Sequence, residues 1–219
     1  MVRDHMTRCL RLLLGALAIV LCAYPRQALA HPHVWVTVKS ELVYAPDGTI
    51  TAVRHHWTFD EMFSTFATQG LDTNKDGKLS REELQGLAEV NVTSLKEFEY
   101  FTFAKGDGNK TAFNDAADYW LEHQNGVLTL HFTLTPKRPL KAKTLQVDIY
   151  DNSYFVDFSL AKGEAAKLVS APAQCKLATA GPNAAAAPSQ APNEAFFNSL
   201  DPSSNWGARF ASKIVVTCP

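Results

Sequence analysis

The sequence predicts an α+β fold, mainly antiparallel β-sheet or sandwich, with an EF-hand helix–loop–helix inserted into it. Three observations carry this. Val34, Val36 and Val38 alternate with His33, Trp35 and Thr37, and Leu128, Leu130, Phe132 and Leu134 alternate with polar residues, the period of half-buried strands. Residues 60–71 and Ser80 to about Val90 change to helical spacing around a polar loop. Elsewhere, short apolar runs are separated by strong turn signals.

The elements follow in order. After the strand at Val34, Pro46-Asp47-Gly48 makes a turn, and Thr49 to Phe59 returns as the second arm of a hairpin. Asp60 is placed to cap a helix whose apolar stripe is Met62, Phe63, Phe66 and Leu71. Beyond the second helix, Phe98 to Ala104 reads as a strand, closed by Gly106-Asp107-Gly108-Asn109. Strands over Tyr119–Glu122, Val127–Thr135, Thr144–Asp151 and Tyr154–Leu160 follow, divided by Asn-Gly, Pro-rich and Asp-Asn-Ser breaks. Residues 178–195 are Ala/Pro-rich without an amphipathic stripe and read as a flexible stretch, and a last strand spans Lys213 to Thr217.

Residues 1–30 read as a cleaved Sec signal. Arg3, Arg8 and Arg11 form a basic start, Leu12 to Ala23 is one apolar block, and Ala28-Leu29-Ala30 supplies small residues before the cut. Twelve apolar residues fall short of the ~20 that span a bilayer, so no membrane anchor is expected after cleavage. Leu21 stands where a lipobox before Cys22 would need a small residue. Residues 31–219 are then expected to form one periplasmic domain, with 60–92 as the EF-hand-like insertion. Cleavage removes four arginines (Arg3, Arg8, Arg11, Arg26) and one aspartate (Asp4), which takes the formal charge from −1 to −4 and argues against a nucleic-acid partner. Only Cys175 and Cys218 remain, and two cysteines in an oxidising compartment most simply form one disulfide.

Two constellations carry chemistry. Asp72 to Glu83 (DTNKDGKLSREE) fills the twelve-residue calcium-loop template at every position. Ca²⁺ wants six to eight oxygens. Asp72, Asn74 and Asp76 supply them at alternate positions, and Gly77 allows the turn. Lys78 offers its carbonyl, Ser80 acts directly or through water, and Glu83 closes the site. The second is the start that cleavage would expose, His31-Pro32-His33-Val34-Trp35. A free α-amino group and the His31 imidazole form a histidine brace, or His31 and His33 form a pair, and either suits Cu²⁺, Ni²⁺, Co²⁺ or Zn²⁺. Pro32 lacks the N–H that a square-planar amino-terminal Cu/Ni motif must deprotonate. His55 and His56 are further ligand candidates, although His55 shares the Val53 and Trp57 face and reads more readily as a core histidine. His123 and His131 complete the set, with His131 facing away from the core.

The H-P-H-V-W start, the segment Trp57 to Ser64 (WTFDEMFS), the acidic loop, the stretch Tyr150 to Phe155 (YDNSYF) and the C-terminal cysteine together resemble a bacterial periplasmic family of unknown function, labelled as components of uncharacterised ABC-type transport systems. Relatives that lie beside, or are fused to, nickel/cobalt-type permeases and zinc-responsive transport genes are what the resemblance brings, and it implies metal handling with an inner-membrane permease as partner. The expected function is therefore a periplasmic metal-binding accessory of a Ni, Co, Zn or Cu transport system, with a structural Ca²⁺. A calcium-stabilised binding module without transition metal, and a histidine-brace copper enzyme, are the competing readings. No Ser-His-Asp order, H-E-x-x-H or phosphate loop is present to favour catalysis.

Overall fold

The structure, a computed structural model, describes residues 32–182 and 205–219. The proposed signal segment, His31 and residues 183–195 of the Ala/Pro-rich stretch lie outside the described residues.

Two sheets pack around a common core, as an α+β fold. The first has the order β5-β6-β2-β1-β8, built from β1 (Val34–Tyr44), β2 (Ile50–Phe59), β5 (Ala117–Gln124), β6 (Val127–Leu134) and β8 (Val156–Leu160); β9 (Ala166–Val169) pairs with the later residues of β1, past the end of β8. The β1–β2 hairpin and its neighbours β6 and β5 are antiparallel, whereas β8 and β9 run parallel to β1. The second sheet, entirely antiparallel, has the order β10-β11-β7-β3-β4, with β3 (Thr102–Gly106), β4 (Asn109–Thr111), β7 (Thr144–Ile149), β10 (Lys176–Ala180) and β11 (Ser212–Thr217).

Strict alternation in β1 and β6 buries one face of the first sheet, so Val36, Val38, Leu130 and Phe132 meet Val147, Ile149 and Ile214 of the second. Trp57 sits at the centre, its ring 4.8 Å from both Phe132 and Phe158. Cys175 and Cys218 are disulfide-bonded and tie the entry to β10 to the end of β11.

Two helices stand between β2 and β3. Asp60 caps α1 (Glu61–Ala67) by accepting from the Phe63 N–H, and its second oxygen accepts from Trp35 N–H, joining the cap to β1. The predicted stripe on this helix is corrected: Met62 and Phe66 are exposed, and Ser64 is buried instead. The Ser64 hydroxyl accepts from Leu128 N–H and donates to the Asp60 carbonyl, so a polar contact to β6 sets which face turns inward. The second helix, α2 (Arg81–Leu95), begins in a capping box between Ser80 and Glu83, buries Leu84, Ala88 and Val92, and packs on β5.

Two strand expectations also change. Residues 98–101 are not extended: Glu99, Tyr100 and Phe101 have φ of 52°, 53° and 46°, and β3 starts only at Thr102. Burial of two rings decides this. Tyr100 accepts from Ala116 N–H through its hydroxyl, and Phe101 packs 5.3 Å from Phe158. The first residues of the Ala/Pro-rich stretch, Ala178 to Ala180, belong to β10, because β11 offers an open edge for pairing.

Candidate metal centre

The acidic loop between α1 and α2 is held by its own hydrogen bonds. Asp76 N–H lies between Asp72 Oδ1 (3.2 Å) and Asn74 Oδ1 (2.9 Å), and Gly77 N–H donates to Asp72 Oδ2 at 3.0 Å. Gly77 takes φ 78°, a left-handed turn that a residue with a Cβ adopts only under strain. Glu83 does two jobs at once. Oε1 accepts from the N–H groups of Thr73 and Asn74 and the Thr73 hydroxyl, and Oε2 accepts from the N–H and hydroxyl of Ser80. Those donors, led by the Ser80 N–H, hold the Glu83 carboxyl down at about 2.

The donor set is all oxygen, as calcium requires, and the backbone turn at Gly77 suits it. The side chains are drawn in around N–H groups, so Glu83 would have to exchange its bonds to Thr73 and Asn74 for an ion. Lys78 donates its N–H to Asp76 Oδ1. Among the described residues no three His, Cys, Asp or Glu side chains converge on a metal position.

Of the four candidate histidines, the three that are described, His33, His55 and His56, separate. His33 lies at the head of β1, with its N–H on the Phe155 carbonyl at 2.8 Å and its ring 4.8 Å from the Phe155 ring. His55 points into the core, fully buried, with Nδ1 2.9 Å from the Ser40 hydroxyl and Nε2 3.2 Å from the Thr102 hydroxyl. Both its nitrogens are engaged between the two sheets, and burial pushes the ring down to about 3, so it stays neutral. As a metal ligand beside His31 and His33 it is therefore corrected: it is a core histidine. His56 faces outward as His33 does, but it pairs with Lys39, six residues along β1 from His33, a separation of about 20 Å at strand rise. The first hairpin does not bring these rings together.

His56 has a different companion. In the β2–β6 register it stands directly opposite His131, and their Nδ1 atoms are 2.6 Å apart. His131 Nε2 is 3.2 Å from Glu122 Oε1, and His56 Nε2 is 3.9 Å from Glu41 Oε1. Glu41 also binds Lys167 at 2.7 Å and Arg54 at 3.3 Å. Trp120, next in the same cross-sheet row, stacks on His131 with ring centroids 3.8 Å apart and planes 2° from parallel. Burial lowers both imidazoles, and for His131 the Glu122 carboxylate works against it. The outward phase of both histidines was readable; their pairing across 75 positions was not.

Two stretches that carry the family resemblance turn out to build the fold. Trp57 fills the core, Phe59 stacks on Phe63, Asp60 caps α1 and Ser64 bonds to β6. Asp151, buried, accepts from the N–H groups of Ser153 and Val156. The profile of a family described as a protein of unknown function, DUF1007, matches residues 16–218. The chain belongs to the DUF1007 family. Among curated proteins none matches the chain. Those two stretches are occupied by the fold, which leaves the outward-facing histidines and the acidic loop as the places where chemistry can be sought.

Proposed function

We propose that this DUF1007 protein is exported through a Sec signal cut after Ala30 and acts in the periplasm as a metal-binding accessory of a transition-metal transport system. Its ion is Ni²⁺, Co²⁺, Zn²⁺ or Cu²⁺, and its partner is an inner-membrane permease. The observation that carries the reading is the position of His33. It sits at the exposed start of β1, anchored by its backbone and its ring to Phe155, two residues from the His31 amino terminus that cleavage would create. A ligand fixed to a sheet beside a terminal chelator reduces the ordering cost of binding. Calcium, held by Asp72, Asn74, Asp76, the Lys78 carbonyl, Ser80 and Glu83, is structural in this reading. The brace-enzyme alternative needs a third histidine, and neither His55, held in the core, nor His56, about 20 Å away at strand rise, supplies it.

The test is a metal titration of protein purified from the periplasm, with its first residue identified by mass spectrometry. His31→Ala/His33→Ala is expected to remove one bound transition ion and to lower cellular accumulation of that metal. Unchanged stoichiometry and uptake overturn the proposal.

A further inference from the structure

We infer that His56 and His131 form a second transition-metal site, a two-nitrogen clamp for one divalent ion of the Cu²⁺, Ni²⁺ or Zn²⁺ class on the outer face of the first sheet. It goes beyond the terminal histidines and does not depend on them, since His33 lies about 20 Å along β1 by strand rise.

The argument starts from tautomers. Two ring nitrogens 2.6 Å apart cannot both carry a proton, nor can both present bare lone pairs. One proton therefore lies between them. Glu122, at 3.2 Å, calls for an N–H on His131 Nε2, which leaves the His131 Nδ1 lone pair facing His56. Glu41 stands on the far side of His56, near Nε2. Each imidazole thus has one nitrogen toward its partner and the other toward a carboxylate, the arrangement that orients histidine ligands and raises their basicity. A divalent ion takes the place of the shared proton, which shifts from His56 Nδ1 to His56 Nε2 on the Glu41 side, so both rings stay neutral and no net proton is released.

The geometry needed is small. Two Zn–N bonds of about 2.0–2.1 Å at a tetrahedral angle separate the nitrogens by about 3.3 Å, an opening of about 0.7 Å. His56 is free to provide it, because a third of its side chain is exposed. His131 is held: Trp120 lies parallel on its face, and only 14% of its side chain is exposed. One rigid and one adjustable ligand leave the remaining coordination positions to water or to a donor from another molecule. Such a site releases its ion readily, as transfer to a transporter demands. The cations nearby are already engaged, Lys167 and Arg54 by Glu41 and Arg81 by the Trp120 ring, while Lys39 is the neighbour of His56 in the row.

Trp120 supplies the readout. Cu²⁺ bound at His131 lies beside its ring and quenches its emission, and two imidazole nitrogens give a characteristic splitting in the Cu²⁺ EPR spectrum. In full-length protein purified from the periplasm, the His31→Ala/His33→Ala variant is expected to keep one Cu²⁺, the two-nitrogen spectrum and the quenching. Adding His56→Gln or His131→Gln, each of which retains a hydrogen-bonding side chain, is expected to weaken that binding at least tenfold and to abolish the quenching. An unchanged melting temperature shows that the sheet survives. Binding and quenching within twofold of the parent in both glutamine variants overturn the inference, as does a His31→Ala/His33→Ala protein that binds no Cu²⁺. Stoichiometry keeps the two readings apart: failure of the terminal site leaves His31→Ala/His33→Ala with the wild-type number of ions, and failure of the clamp leaves the glutamine variants of otherwise wild-type protein with it.

Discussion

The Arg81 guanidinium lies 4.5 Å over the Trp120 ring, whose other neighbour in the stack is His131. Arg81 is the first residue of α2, directly after the Ser80 cap. The acidic loop and the histidine row are therefore joined by one cation–π contact. Calcium binding that reorients Glu83 is expected to shift tryptophan emission in the wild type, and Arg81→Ala is expected to remove the shift while calcium still binds. Parallel fluorescence and calorimetric titrations check both halves.

Calcium should also stabilise the whole domain. With an affinity of about 10⁻⁴–10⁻³ M, as extracellular loops of this type show, 10 mM Ca²⁺ adds about 1.4–2.7 kcal/mol. A melting temperature several degrees higher with Ca²⁺ than with chelator is the expected result, and Glu83→Gln is expected to cancel the difference. The pH sense follows from Glu83, whose folded pKa of about 2 lies below the unfolded value. Its contribution is complete above the unfolded carboxylate pKa of about 4.3 and is lost as pH falls toward 2. Melting curves from pH 6 down to pH 2 in chelator read this directly.

His55 predicts instability in a higher pH window. Its folded pKa of about 3 lies under the unfolded value of about 6.5, so between those values the unfolded chain binds the extra proton. Stability falls as pH drops through that range, by up to about 1.4 kcal/mol per pH unit from this one group. His55→Ala is expected to cost about 2–4 kcal/mol, since it opens a cavity beside Trp57 and Phe132 and strips partners from the buried Ser40 and Thr102 hydroxyls. Urea unfolding at pH 7.5 and pH 5 tests both, with the variant losing the pH slope.

Reduction of the Cys175–Cys218 bond should loosen the edge formed by β10 and β11. Its ends are 43 residues apart, and the chain-entropy relation gives up to about 4 kcal/mol for a loop of that length. Cys175→Ser/Cys218→Ser is expected to melt well below the oxidised protein and to match the reduced wild type.

Gly207 tests a different contact. A Cβ there would run into the Asp151 carbonyl, and Gly207 N–H donates to the Asn152 carbonyl at 2.9 Å. Gly207→Ala is expected to cost more than about 2 kcal/mol by forcing the 206–210 turn off the 151–154 turn. The loss of Tyr154–Phe210 stacking, now 4.1 Å between centroids, would show in near-ultraviolet dichroism.

Local pattern was enough for the hairpin, the Asp60 cap, the acidic loop and the outward phase of His56 and His131, because alternation, capping and turn chemistry act over a few residues. It misled at Met62 and Phe66, where the Ser64 bond to Leu128 chose the buried face, and at residues 98–101, where core burial of Tyr100 and Phe101 outweighed strand preference. The sequence by itself determined the α+β class, the cysteine pair and the types of donor available. Only the tertiary structure decided which donors meet. Strand order is set by side-chain packing between distant segments, so β2 falling beside β6 is what brings His56 to His131, while the β1–β2 register leaves His33 about 20 Å away along β1.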